Sequence, residues 1–161
     1  MGRLKPLIGS VFNIGFLPNA PGTWGSLFAL IPIYFIGVFL PPYAMLLFAI
    51  LCTVLTLWVA EDCEKTWGGD PSPLVMDEFA GQSMAFVWIP FQTNFSYNIV
   101  LIMIGFFFFR FFDIKKPLGV DRLQNISGGL GIVVDDLLAG LYAFICLKII
   151  VILIQYTGLT F

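Results

Sequence analysis

The sequence predicts an all-α integral membrane protein with about five transmembrane helices and an N-terminal interfacial or re-entrant segment. Three observations lead there. Of 161 residues, 59% are hydrophobic and 11% are charged, against about 25% charged in a soluble domain. Mean hydropathy is +0.95. The charges also gather into three stretches, 1–25, 61–78 and 110–136, which hold all ten acidic residues and seven of the eight basic ones. Between them lie uncharged runs long enough for hairpins of spanning helices. So few charges cannot cover a soluble surface, and residues 1–161 read as a single membrane-embedded domain.

The composition excludes several function classes. A net charge of −2, with no basic stripe interleaved with aromatics, gives no reason to expect a nucleic-acid partner. The absence of histidine removes phosphohistidine chemistry, Ser-His-Asp triads and His-ligated zinc. Cys52, Cys63 and Cys146 have no metal-ligand spacing, and none opens a cysteine-phosphatase loop closed by arginine. They read as packing residues, not disulfides.

In chain order, Arg3 and Lys5 precede a moderately apolar stretch to Leu17. Gly9, Asn13, Gly15 and Pro18 interrupt it, so it is expected to lie at the interface or dip into it, and not to be cleaved as a leader. Residues 15–26, GFLPNAPGTWGS, form a rigid loop rich in proline and glycine. Thr23 and Ser26 offer hydroxyls there, either as helix caps or as ligand contacts. No residue from Ser26 to Ala60 is charged. That run of about 35 residues would be roughly 50 Å long as one helix, against a hydrocarbon core of about 30 Å. Leu40-Pro41-Pro42 breaks it into a hairpin.

Phe79 to Phe109 is likewise uncharged and broken around Pro90–Asn94, giving a second hairpin. Asp70-Pro71-Ser72-Pro73 is expected to cap its first helix and supply the proline of the first turn, placing Asp77 and Glu78 about one turn inside. The last span is expected over roughly 132–156, with Lys148 snorkelling or packed in the bundle. Two hairpins return the chain to the side it left, so the three polar stretches share one face. By the positive-inside rule that face is cytoplasmic.

The candidate chemistry lies on that face. Asp77-Glu78 and Asp135-Asp136 are two adjacent acid pairs, each with a glycine four residues after one of its acids, at Gly81 and Gly140. Charge at the mouth of a membrane helix is costly unless something polar holds it. Arg110, Asp113 and Lys116 are spaced three apart and share a helical face. Adjacent acids on a helix point about 100° apart, so one member of each pair, together with Asp113, gives three oxygen ligands from three helices. The expected set is Glu78, Asp113 and Asp136, although the spacing alone leaves the choice within each pair open. Carboxylates without His or Cys suit Mg²⁺, which also takes water and substrate phosphate as ligands. Arg110, Lys115, Lys116 and Arg122 are placed to hold a phosphate, with Thr23 and Ser26 as further candidates.

Four motifs, LPNAPGTWGS, DPSPLVMDEFAG, FRFFDIKKP and GGLGIVVDDLLAG, occur in this order over about residues 15–140. Together they resemble the phosphatidylglycerophosphatase A family. The resemblance implies Mg²⁺-dependent hydrolysis of phosphatidylglycerophosphate to phosphatidylglycerol and phosphate. It places the protein in a bacterial cytoplasmic membrane with the active site facing the cytoplasm. Leu118-Gly119-Val120 departs from the proline-containing continuation expected of the family, which bears on the local loop.

The residues support the same class independently. No DxD aspartyl-phosphate motif is present, and no CDP-alcohol transferase pattern of spaced aspartates. Metal-activated water, or attack by one of Asp77, Glu78, Asp113, Asp135 and Asp136, on a phosphomonoester remains. The rival reading is a divalent-cation transporter, since intramembrane acids also mark ion paths. Its acids should sit near the midplane, whereas these cluster at one end. A homo-oligomer is compatible with the sequence.

Overall fold

The computed structural model describes residues 4–69, 71–117 and 128–157. Six α-helices run along the described chain: α1 (Leu4–Gly9), α2 (Pro21–Phe39), α3 (Tyr43–Trp67), α4 (Met76–Met84), α5 (Phe95–Lys115) and α6 (Gly129–Thr157). Helices α2, α3, α5 and α6 are each long and apolar enough to cross a membrane. The protein is an all-α, multi-pass membrane protein.

Pro21 occupies the first turn of α2, where its missing N–H is no loss. The helix therefore starts ahead of Thr23 and Ser26, and neither hydroxyl caps it; the cap position is Ala20. Pro41 and Pro42 separate α2 from α3, as the break in the first uncharged run predicts. The N-terminal segment packs α1 along the site end of α3. Lys5 Nζ reaches Asp62 at 2.5 Å, and the Gly9 carbonyl accepts the Val75 N–H at 2.9 Å.

The second hairpin differs from expectation. Its first arm is not a spanning helix but the nine-residue α4, about 14 Å long at 1.5 Å per residue. After Met84 the chain continues through short turns, and Phe91 packs against Gly37 near the far end of α2. Irregular backbone at this depth is tolerated only when buried and hydrogen-bonded within the protein. Ala85, Phe86, Val87 and Ile89 are buried. Gln92 N–H donates to Asn98 Oδ1 at 2.9 Å, and Asn98 Nδ2 donates back to the Gln92 carbonyl at 2.7 Å. The spanning helices thus number four among the described residues, not five.

The start of α4 also differs. Pro71 and Pro73 lie in the turn ahead of it, and the helix begins at Met76 with Val75 at the cap position. Asp77 and Glu78 consequently occupy its first turn, where the positive end of the helix dipole favours carboxylates.

Glycines set the distance between α4 and α6. A Cβ on Gly81 would lie 2.6 Å from the Asp136 carbonyl, and one on Gly140 would lie 2.2 Å from the Gly81 carbonyl. Small residues let two helix backbones approach this closely. The glycine that follows each acid pair is therefore the crossing point of two parallel helices, one turn beneath their acids.

Candidate active site

Three helices bring their acids to one point. Glu78 from α4, Asp113 from α5 and Asp136 from α6 each present a carboxylate oxygen, all within 4.8 Å of one another. All three are buried. Arg110 lies between two of them, its Nη1 2.6 Å from Glu78 Oε2 and 2.9 Å from Asp113 Oδ2. The Ser26 hydroxyl stands 2.7 Å from Glu78 Oε2 and 2.8 Å from the Gly22 carbonyl, and it accepts from Arg110 Nη1 at 3.0 Å.

With all three carboxylates ionised, one guanidinium would leave excess negative charge in a buried place, which a bound cation would offset. Asp136 Oδ2 is buried and has no hydrogen-bond partner. An all-oxygen, all-carboxylate donor set of this kind fits a hard divalent cation.

The remaining acids stand beside this cluster. Asp135 Oδ2 accepts from Lys116 Nζ at 2.6 Å, while its Oδ1 accepts the Asp136 N–H at 3.1 Å. Asp77 Oδ1 accepts the Glu78 N–H at 3.0 Å. Among the described residues no Lys or Arg pairs with Asp77. On α4, which is not one of the spanning helices, burial pushes the Asp77 carboxyl well above the ordinary carboxylate range, and the Glu78 charge pushes the same way. Lys116 caps the end of α5 in the left-handed conformation, with φ 44°. Burial pulls its ammonium down, but the hydrogen bond and charge of Asp135 outweigh this and hold it above its ordinary value.

These groups open onto a cavity of about 680 Å³. Gly22 and Thr23 form one side, Pro71 and Ser72 another. Asp77, Glu78, Arg110, Asp113, Lys116, Asp135 and Asp136 all reach its wall. Of the other predicted phosphate contacts, Ser26 is fully buried behind Glu78, off the wall. Lys115 is exposed and lines a separate depression with Phe107 and Phe111. Arg122 and the Leu118-Gly119-Val120 departure lie outside the described residues.

Two features escape the sequence reading. A Cβ on Gly22 would come within 2.0 Å of Glu78 Oε1, so a side chain there would push that carboxylate from its present place. Three residues on, a Cβ on Gly25 would meet Val75 at 2.8 Å. The i, i+3 glycine spacing in PGTWGS is the signal that could have revealed this tight seat for α4. Gln82, one turn below Glu78, is fully buried with both amide atoms unpartnered, and nothing in its neighbourhood on the sequence announces it.

The family model for Phosphatidylglycerophosphatase A matches residues 7–151, a range that contains every group just described. The chain belongs to the phosphatidylglycerophosphatase A family. Two similar proteins are themselves called phosphatidylglycerophosphatase A. The Haemophilus influenzae protein is 35% identical over 150 residues, covering 90% of this chain and 85% of that one. The Escherichia coli protein is 34% identical over 131 residues, covering 80% and 73%. A Bacteroides thetaiotaomicron protein named "Putative phosphatidylinositol-3-phosphatase" is 40% identical over 151 residues, covering 91% and 92%. No solved structure matches. The acid cavity is thus set on a membrane protein of the phosphatidylglycerophosphatase A family.

Proposed function

We propose that this protein is a Mg²⁺-dependent lipid phosphatase. It removes the terminal phosphomonoester of phosphatidylglycerophosphate, giving phosphatidylglycerol and phosphate, at the cytoplasmic face of a bacterial inner membrane. The observation that carries this reading is the meeting of Glu78, Asp113 and Asp136 within 4.8 Å, on a cavity that Arg110 and Lys116 also reach. Glu78, Asp113 and Asp136 would hold the ion. Bound there, Mg²⁺ would supply neutralisation of phosphate charge and a lowered pKa for water.

The protein's own groups carry the other tasks. Lys116 and Arg110 hold the phosphate oxygens and stabilise the charge that develops on them. Ser26 orients Glu78 from behind. Asp77 faces the cavity without a cationic partner among the described residues, so it is the acid best suited to take the proton of the attacking water. The phosphorus–oxygen bond to glycerol breaks as the bond to water forms, and the glycerol oxygen leaves with a proton. The lipid tails stay among the apolar helices, so the substrate need not leave the bilayer.

The Bacteroides relative's name favours a second substrate with the same chemistry, phosphatidylinositol 3-phosphate. Purified protein in mixed micelles is given each lipid, with Mg²⁺ or with a chelator, and released phosphate is measured. Phosphate from phosphatidylglycerophosphate, lost with the chelator, is expected; preference for the inositol lipid would move the substrate assignment. Mg²⁺ transport across liposomes without phosphate release would replace the enzyme by a transporter. Orientation is tested by single cysteines. One at Ser72, on the cavity rim, should label from the cytoplasmic side and one at Thr93 from the opposite side.

A further inference from the structure

Beside the acid cavity, α2 and α5 leave an apolar groove of about 540 Å³ between them. Trp24, Leu27 and Ile31 line one wall, and Ile99 and Met103 the other. At the end away from the acids, Tyr34 and Phe95 bridge the two helices edge to face, with ring centroids 6.1 Å apart.

Three features identify an occupant. The first is adjacency: Thr23 lines the acid cavity and the next residue on α2, Trp24, lines the groove. The second is length. From Trp24 to Phe35 the groove follows α2 for about 16 Å at 1.5 Å per residue, close to one leaflet's share of a hydrocarbon core about 30 Å thick. The third is chemistry. The wall carries no charged group, and the Trp24 indole, its N–H donated to the Pro18 carbonyl at 3.2 Å, stands at the cavity end. Tryptophan is at home where headgroups meet tails. The depression formed by α5 alone also meets the acid cavity, at Arg110, but its wall carries the charged Arg110 and Lys115.

We propose that the α2–α5 groove seats one acyl chain of the phospholipid whose phosphate enters the acid cavity. This rests on the phosphatase reading and adds the direction from which the substrate arrives, sideways from the bilayer between α2 and α5.

The test fills the groove. Ile31→Trp places a large ring in it, and Leu47→Trp makes the same type of change on the exposed face of α3, away from it. Each variant is assayed on dipalmitoyl phosphatidylglycerophosphate and on its water-soluble dihexanoyl counterpart. Ile31→Trp should lower kcat/KM for the long-chain lipid by roughly tenfold and spare the short-chain one. Leu47→Trp should spare both. Equal effects of the two variants on the long-chain lipid, or an equal loss on both substrates with Ile31→Trp, would overturn the groove.

A second readout does not depend on turnover. Dipalmitoyl phosphatidylglycerophosphate carrying a mid-chain diazirine, photolysed with wild-type protein, should label around Ile31 and Ile99. Label spread evenly over the lipid-facing helices would overturn the proposal. A wild type that releases no phosphate from either lipid, yet labels at the groove, would remove the phosphatase reading and leave a lipid-binding groove.

Discussion

Asp77-Glu78 in the first turn of α4 and Asp135-Asp136, about two turns into α6, each lie one turn ahead of the glycine where the two helices touch, Gly81 and Gly140, and each pair divides its members. The second acid of each, Glu78 or Asp136, turns inward to meet Asp113. The first, Asp77 or Asp135, faces the cavity beside that cluster. A rotation of about 100° between neighbours on a helix enforces the division. The outer members then differ. Asp135 is neutralised by Lys116, whereas Asp77 has no such partner among the described residues. The pattern teaches that adjacent acids on a helix divide between an inner cluster and the wall beside it, with a glycine below to let the helices come close enough.

Substituting the inner members should break this arrangement most severely. Glu78→Gln, Asp113→Asn and Asp136→Asn keep size but remove ligand charge, and each should lower turnover by at least roughly a hundredfold, about 2.7 kcal/mol of barrier. Added Mg²⁺ should restore little. Steady-state phosphate release against Mg²⁺ concentration checks this, and near-normal turnover by Asp113→Asn would remove it from the site.

A smaller loss is expected from the crossing itself. Gly140→Ala puts a methyl group 2.2 Å from the Gly81 carbonyl oxygen, so the helices must part. A destabilisation of about 1–3 kcal/mol is expected, read as a lower Tm in detergent, together with weaker activity as Asp136 shifts. An unchanged Tm would show that the close approach is not needed.

Lys116→Ala sharpens the distinction between inner and outer groups. It should raise KM and lower kcat while leaving the Mg²⁺ requirement intact, since Lys116 contacts Asp135 and not the inner cluster. The smallest effect belongs to the opposite end of the bundle. Lys148 donates to the Trp88 carbonyl at 3.1 Å in an exposed position, and Lys148→Met should change activity and stability by no more than about 0.5 kcal/mol.

Much of this was legible because charge is scarce in the sequence. Leu40-Pro41-Pro42 marks the first hairpin, and the acids could be placed on one face by counting passes. The length of α4 was not legible, because an uncharged run does not distinguish a helix from buried irregular backbone. Residues 85–91 are as apolar as a spanning helix, and Phe86 and Phe91 pack against glycines of two other helices, Gly105 of α5 and Gly37 of α2. Nor does any local pattern place the start of α4, where Val75 bonds to the Gly9 carbonyl from a distant part of the chain. Ser26 looked like a cap because a hydroxyl near a helix start often is one; Pro21 begins the helix sooner, and the hydroxyl turns to Glu78 instead. Lys115 and Lys116 are neighbours in sequence, but the end of α5 directs them to different surfaces, one to the cavity and one to the aromatic flank.

The division of labour within each acid pair is tested most directly by cation binding, measured apart from turnover. Mn²⁺ affinity is read by electron paramagnetic resonance on folded protein in micelles, for wild type, Asp135→Asn and Asp136→Asn. Binding should survive Asp135→Asn and be lost in Asp136→Asn. Equal affinity in both variants, or loss only with Asp135→Asn, would contradict the assignment of the inner carboxylates as the metal site.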